Sequence, residues 1–303
     1  MIFILSIALV ALLLFLLFKI MDRETQEMNE EARKDAPGSF VTLSLGVTHY
    51  EIRGGNNKKP LVLIHGISLP SYSWSTFADE VAKRGFRVIT YDLFGRGYSD
   101  RPDTIYDSDL YVTQLSDLLK ALHCTEKISV LGISMGGGIA NHFASQYPER
   151  VEKVVLMTPL HSSNLAATII TTPPLGELLM TLLAAKKMIS IQQNIEKEFH
   201  LMGEWSDLYE KQMNFFGYRR AIISSVRHFA TENHLAAFQK LSKTGLPTLL
   251  IWGKNDMVIP FAGHKFVQAA LPNATFLPLE NVGHLIPVEK PTISDDVVAF
   301  LDA

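Results

Sequence analysis

The sequence predicts a single large α/β domain on a mostly parallel sheet flanked by helices, and three observations carry that prediction. Four largely apolar runs, at residues 61–64, 128–131, 154–157 and 249–252, have the length and composition of strands buried on both faces. A glycine-flanked serine, Gly132-Ile133-Ser134-Met135-Gly136, follows the second run and precedes a helix-like stretch. The segments with reactive side chains fall just beyond the ends of strand candidates, where open parallel sheets gather their sites.

The chain opens on residues 1–18, apolar except for Ser6. As a helix rising ~1.5 Å per residue this stretch nearly crosses a ~30 Å hydrocarbon core, and Lys19 can snorkel so that Ile20 and Met21 extend it. A cleaved signal peptide fits less well, because no basic residue precedes the run and residues 19–23 hold no A-x-A site. Residues 1–21 are therefore expected to be an uncleaved transmembrane anchor. Lys19, Arg23, Arg33 and Lys34 lie on its C-terminal side, which by the positive-inside rule puts the following domain in the cytoplasm. Residues 22–39, dense in charge and containing Ala36-Pro37-Gly38, are expected to form a solvated spacer, helical at first.

The core is expected over residues 40–160 and 246–303. Its first buried run ends in His65-Gly66-Ile67-Ser68, where Gly66 lets the backbone turn so that the Ile67 amide faces the same point as the Met135 amide. His65 is expected to brace loops by hydrogen bonds rather than to react. Beyond the run 154–157, Thr158-Pro159 supplies no carboxylate. About 85 residues without a convincing strand follow, too many for a connection in a compact sheet, so residues 161–245 are expected to form a helical cap. Pro173-Pro174 sets a helix start, and Leu175, Leu178, Leu179, Leu182 and Leu183 repeat at helical spacing. Phe215, Phe216 and Tyr218 either pack this cap onto the core or line a pocket. The run 249–252 leads into Gly253-Lys254-Asn255-Asp256. A short strand candidate at 275–277 leads to Glu280-Asn281-Val282-Gly283-His284.

These loops hold the parts of one reaction. A serine on a sharp strand-to-helix turn needs neighbours almost without side chains two positions away on each side, and Gly132 and Gly136 meet that demand. A serine hydroxyl is a poor nucleophile at neutral pH until a base takes its proton and a carboxylate orients that base. His284 is the candidate base and Asp256 the candidate acid; the alternative for Asp256 is a turn aspartate bonding its own backbone. The Ile67 and Met135 amides are the candidate donors to the oxyanion.

Five landmarks in order resemble the α/β-hydrolase family: Leu63-Ile64-His65-Gly66, the segment Tyr91-Asp92-Leu93-Phe94-Gly95-Arg96-Gly97-Tyr98-Ser99-Asp100, Gly132-Ile133-Ser134-Met135-Gly136-Gly137, Trp252-Gly253-Lys254-Asn255-Asp256, and Gly283-His284. The resemblance covers residues 40 to 303 apart from the central insertion. It implies an α/β-hydrolase fold with an inserted cap behind the N-terminal transmembrane helix, and it implies the roles already assigned to Ser134, Asp256, His284, Ile67 and Met135. In the segment 92–100 it implies a turn near the pocket shaped by Gly95 and Gly97, without catalysis. Haloalkane dehalogenases and epoxide hydrolases, similar elsewhere, place aspartate at the elbow; serine implies acyl transfer. The layout is similar to membrane-anchored monoacylglycerol lipases. Hydrolysis of a small-molecule or lipid-like carboxylic ester, such as a monoacylglycerol or a short-to-medium acyl ester, is therefore expected. The rivals are a carbon-carbon hydrolase of ring-cleavage products, a cofactor-free perhydrolase and a non-catalytic ligand receptor.

Composition narrows the partners. The 303 residues carry 28 Lys and Arg against 31 Asp and Glu, a net charge of −3 that gives no sign of nucleic-acid binding. Cys124 is the single cysteine, so no intrachain disulfide forms. Neither a Cys/His cluster nor a G-x-x-x-x-G-K-[ST] loop occurs, and no metal or cofactor is expected.

Overall fold

The largely apolar runs become adjacent strands. In a computed structural model describing residues 2–55, 58–161, 172–201 and 205–303, the sheet contains β1 (Ser39–Leu43), β2 (Gly46–Arg53), β3 (Lys59–Ile64), β4 (Phe86–Tyr91), β5 (Ile128–Ile133), β6 (Val151–Met157), β7 (Thr248–Gly253) and β8 (Thr275–Leu279). Their spatial order is β1-β2-β4-β3-β5-β6-β7-β8. Only β1 with β2 and β2 with β4 pair antiparallel; the remaining pairs are parallel.

Side chains alternate between two cores because successive residues of a strand point to opposite faces. In β3, Val62 and Ile64 join one apolar cluster while Leu61 and Leu63 join the other; in β5, Val130 and Leu131 divide the same way. Helices cover both faces, which is why these strands read as continuous apolar runs. The helices are α1 (Ile2–Met21), α2 (Glu30–Arg33), α3 (Ser75–Lys83), α4 (Ser108–Ala121), α5 (Met135–Gln146), α6 (Leu175–Leu179), α7 (Ala185–Glu198), α8 (Trp205–Gln212), α9 (Tyr218–Ser224), α10 (His234–Ser242), α11 (His264–Ala270), α12 (Ile286–Glu289) and α13 (Ile293–Asp302). Helices α4, α5, α10 and α11 contribute to the first cluster, α3 and α13 to the second. Register lines up the carboxyl ends of the central strands: Ile64 pairs with Gly132, Gly132 with Leu156, and Met157 with Ile251. The loops carrying His65, Ser134, Thr158 and Asp256 therefore emerge along one edge.

Between β6 and β7 the described residues form helices and no strand. The expected segment 161–245 also contains residues 162–171 and 202–204, which lie outside the described residues. Helix α6 starts right after Pro174, as the prolines imply, and a π-helical stretch, Met180–Ala184, joins it to α7. The insertion has its own apolar cluster, with Ile189, Trp205, Tyr209, Met213, Tyr218 and Ile222 closing on Leu69 from the loop after β3. Of the aromatic trio, Phe215 and Tyr218 are buried and Phe216 is exposed.

The N-terminus departs from expectation. Residues 2–21 are helical, but among the described residues no helix is long and apolar enough to cross a membrane. The last turn of α1 is committed to the protein: the Arg219 guanidinium lies 4.8 Å over the Phe18 ring, and Met21 shares a small cleft with Met180 and Tyr218. What projects beyond that docking is residues 2–17, about 24 Å at ~1.5 Å per residue, short of a ~30 Å hydrocarbon core. The transmembrane anchor, the membrane as partner through it, and the single-pass placement with a cytoplasmic domain are corrected accordingly.

Residues 22–38 do not stand free as a spacer either. Thr25 and Gln26 N–H donate to the Asn214 carbonyl at 2.8 and 3.0 Å, and the Phe216 N–H donates to the Gln26 carbonyl at 2.9 Å. Charges that looked solvated have partners far along the chain: Asp22 and Glu24 with Arg219, Arg23 with Glu210, and Arg33 with Asp100. The segment is a strap between core and insertion. Arg219→Ala, which removes the guanidinium shared by Asp22, Glu24, Thr181 and Phe18, is expected to lower stability by about 1–2 kcal/mol. It should also speed proteolytic cleavage within residues 22–38; unchanged cleavage would show that the strap is held elsewhere.

Candidate active site

Ser134 sits between β5 and α5 with φ 57° and ψ −122°, a backbone conformation that non-glycine residues rarely adopt and that needs support from its surroundings. Support is dense. The Ser134 N–H donates to the Met157 carbonyl at 3.0 Å, and its own carbonyl accepts from Gly137 and Leu160 N–H at 3.0 and 2.9 Å. A Cβ at position 132 would stand 2.0 Å from the Gly136 carbonyl oxygen, and one at 136 would stand 2.2 Å from that of Ile64. No side chain fits at either glycine, so the elbow closes only with this sequence.

Met135 is the first residue of α5, where a backbone N–H has no intrahelical acceptor. The loop after β3 runs beside it: a Cβ added to Gly66 would lie 3.5 Å from Ser134 Cβ and 3.9 Å from its Oγ. Gly66, Ile67, Ser134 and His284 all line one cavity of about 250 Å³.

Asp256 is buried and its two oxygens are divided. Oδ1 accepts the Val258 and Ile259 N–H groups, each at 2.8 Å, while Oδ2 lies 2.8 Å from His284 Nδ1. It is both the turn aspartate and the partner of the histidine. The carboxylate can only accept, so the ring proton belongs on Nδ1 and Nε2 is left with its lone pair. The acid and histidine loops are also tied by backbone, with Lys254 N–H donating to Leu279 and Asn255 N–H to Val282, both at 2.9 Å. The structure thus joins Asp256 to His284 directly and brings Ser134 to the same cavity. No hydrogen bond joins Ser134 to His284 among the described residues; in ligand-free sites such contacts are often long and tighten on substrate binding. Among the described residues no group of three or more His, Cys, Asp or Glu side chains could hold a metal ion.

Residues 59–291 match the family model of the alpha/beta hydrolase fold. The chain belongs to the α/β-hydrolase family. Among proteins similar to this α/β hydrolase are Lipase 3 of Moraxella sp. (strain TA144), 25% identical with 90% of this chain and 87% of the lipase covered, and the 2-hydroxy-6-oxononadienedioate/2-hydroxy-6-oxononatrienedioate hydrolase of Paraburkholderia phymatum, 29% identical with 82% and 90% covered. The enol-lactonase of Burkholderia xenovorans LB400 shares the fold at a TM-score of 0.72 and 19% identity, with 88% of this chain and 100% of that one covered.

Several supporting residues of this α/β hydrolase were not singled out by its sequence. Arg96, fully buried, donates from Nε to the Ile67 carbonyl at 2.9 Å and from its other nitrogens to the Phe94 carbonyl, the Tyr111 hydroxyl and the Ser225 hydroxyl. All four acceptors are neutral oxygens, and one of them holds the candidate oxyanion loop. Glu289 accepts the Gly283 and Leu285 N–H groups on either side of His284. The visible hint was an arginine between two glycines; Glu289 had none. His65 behaves as the expected brace: Nδ1 donates to the Gly66 carbonyl at 2.7 Å, Nε2 accepts from Leu93 N–H at 2.9 Å, and burial lowers its pKa to about 4.

Asp92 organises the neighbouring loop by accepting from Ser71 N–H, Ser71 Oγ and Tyr98 N–H. It also faces His49 Nδ1 at 2.8 Å, while His49 Nε2 faces the Pro37 carbonyl at 2.6 Å. Neither oxygen can donate, so both ring nitrogens carry hydrogen and His49 is an imidazolium. Burial by itself lowers the His49 pKa, but the Asp92 charge and hydrogen bond and the Pro37 carbonyl outweigh it and the net shift is upward. Burial likewise raises Asp92, yet His49, His65 and Ser71 together hold it well below the usual carboxylate range. A raised histidine pKa stabilises the fold below ~6.5 and loses that contribution as pH rises through the folded value. The difference in Tm between the wild type and His49→Gln should therefore narrow as the pH rises above about 6.5; a constant difference would argue against the imidazolium.

Proposed function

We propose that this chain is a serine hydrolase of carboxylic esters, with the insertion over 161–245 acting as a cap on a core formed by 40–160 and 246–303. Ser134 Oγ attacks the ester carbonyl carbon as His284 Nε2 takes its proton, and the carbonyl oxygen takes up negative charge facing the Ile67 and Met135 N–H groups. Collapse breaks the bond to the alkoxy oxygen, which receives the proton from His284 and departs as the alcohol. Water, activated by the same imidazole, then attacks the acyl carbon and releases the carboxylic acid with Ser134 restored. Asp256 keeps the imidazole in the required tautomer and supports its transient charge. The observation that carries this proposal is an elbow serine and the Asp256–His284 pair beside one cavity.

The substrate class follows from the cavity wall. Met188, Ile191 and Ile195 from α7, with Trp205, Leu285 and Val288, supply apolar surface, which suits the acyl chain of a lipid-like ester such as a monoacylglycerol or a short-to-medium acyl ester. The likeness to the Paraburkholderia hydrolase favours a second possibility, cleavage of a carbon-carbon bond. Its dioate substrate, by name, carries two carboxylates, whereas no lysine or arginine is among the described residues lining this cavity. Ester hydrolysis is the better match.

Ser134→Ala should reduce p-nitrophenyl butanoate turnover by about 10³-fold or more while leaving the circular dichroism spectrum unchanged; a normal rate in a clean preparation would refute the nucleophile. Asp256→Asn should cost a comparable factor, roughly 10³ to 10⁴, because the ring loses its tautomer and its counter-charge. A near-wild-type rate there would point to a different acid.

A further inference from the structure

Thr158 is poorly suited to the backbone it occupies. It is β-branched and precedes Pro159, two properties that favour extended backbone, yet its φ is 37°, in the left-handed region. The cause lies on either side of it. The Met157 carbonyl accepts the Ser134 N–H at 3.0 Å, and the Leu160 N–H donates to the Ser134 carbonyl at 2.9 Å, so both neighbours are committed to the elbow. The Thr158 N–H is held as well, by the Ile251 carbonyl of β7 at 2.9 Å. The chain has to turn sharply between these anchors, and a glycine or an asparagine would make the turn with less strain.

What a threonine adds there is a hydroxyl. Thr158 is fully buried with Oγ1 3.4 Å from His284 Nδ1, and among the described residues that hydroxyl has no other hydrogen-bond partner. Nδ1 already directs its hydrogen to Asp256 Oδ2 at 2.8 Å, so Oγ1 stands at the same nitrogen as a second and more distant oxygen. Two oxygens about one N–H restrict the swing of the ring, and both favour its charged form. The charged groups hydrogen-bonded at or beside His284 are Asp256, at the ring, and Glu289, at the Gly283 and Leu285 N–H groups. Thr158 is the neutral member of this set.

We propose that Thr158 is a positioning residue for the base: its hydroxyl helps to hold the His284 imidazole and supports the positive charge that the ring gains on taking the Ser134 proton. The proposal rests on the serine hydrolase function given above and adds a residue to it. The short loop 157–160 then serves both partners of the proton transfer, its main chain fixing the Ser134 backbone and its single hydroxyl facing the ring that receives the proton. The strained backbone persists because a side chain is needed at that point.

Three substitutions test this. Thr158→Val keeps the branched shape and removes the hydroxyl, Thr158→Ser keeps the hydroxyl, and Thr158→Ala lacks it and crowds nothing. With p-nitrophenyl butanoate, Thr158→Val and Thr158→Ala are expected to lose about three- to tenfold in kcat at nearly unchanged KM, while Thr158→Ser stays within about twofold of the wild type. An NMR titration of the full chain should find the His284 ring gaining its proton at lower pH in Thr158→Ala than in the wild type, because an oxygen that favours the charged form is gone. A threonine that serves packing alone predicts the opposite order, with valine, the closest in shape, the best tolerated; that order would overturn the proposal. Identical His284 titration in the wild type and Thr158→Ala would also overturn it. Absence of ester turnover by the wild type, with a lowered titration in Thr158→Ala, would overturn the esterase function and uphold the contact between Thr158 and the ring.

Discussion

The site depends on an absence of side chains. Where β5 gives way to α5, the first turn of the helix passes so close to the ends of β5 and β3 that atoms beyond the backbone fit at neither 132 nor 136. That closeness brings the Ser134 backbone within hydrogen-bond reach of Met157 and Leu160 on the β6 side and lays the Gly66–Ile67 backbone alongside. The unusual dihedral angles of Ser134 are thus over-determined by contacts with two neighbouring strands, and the rest of the site is arranged around a fixed hydroxyl. Asp256 and His284 follow β7 and β8, next in order along the same edge, so a parallel sheet with this strand order suffices to collect them.

Around that edge lies a shell of buried and half-buried ionic and polar groups that fix loops. Asp92, His49, His65, Arg96 and Glu289 each bind backbone groups of loops bordering the cavity or the strap. Arg96 is the most exacting, since a fully buried guanidinium satisfied only by neutral oxygens tolerates little change in their positions. Through Ile67 and Ser225 it makes the loop after β3 and the insertion parts of one assembly.

How much of this was legible in the sequence follows from the range of the forces involved. Strands at 61–64, 128–131, 154–157 and 249–252 were legible because burial on both faces leaves a continuous apolar signature. The elbow was legible because its steric demand is local, and Asp256 and His284 because each follows a strand candidate within a few residues. The strap and the docking of α1 were not. Their charges at 22, 23, 24 and 33 find counter-charges at 219, 210 and 100 only once the insertion and the core have folded. The N-terminal apolar run carries a strong hydropathy signal, but the contact of Phe18 with Arg219 that occupies its last turn leaves no mark in local composition.

The strap has a consequence for the order in which the molecule is made. Residues 22–26 leave the ribosome well before their partners at 210, 214, 216, 217 and 219, which follow almost two hundred residues later. Throughout that interval the N-terminal helix has no surface to settle on and remains the most apolar stretch presented by the growing chain. Final closure therefore couples stretches made far apart in time: the strap waits for the insertion before it finds its place.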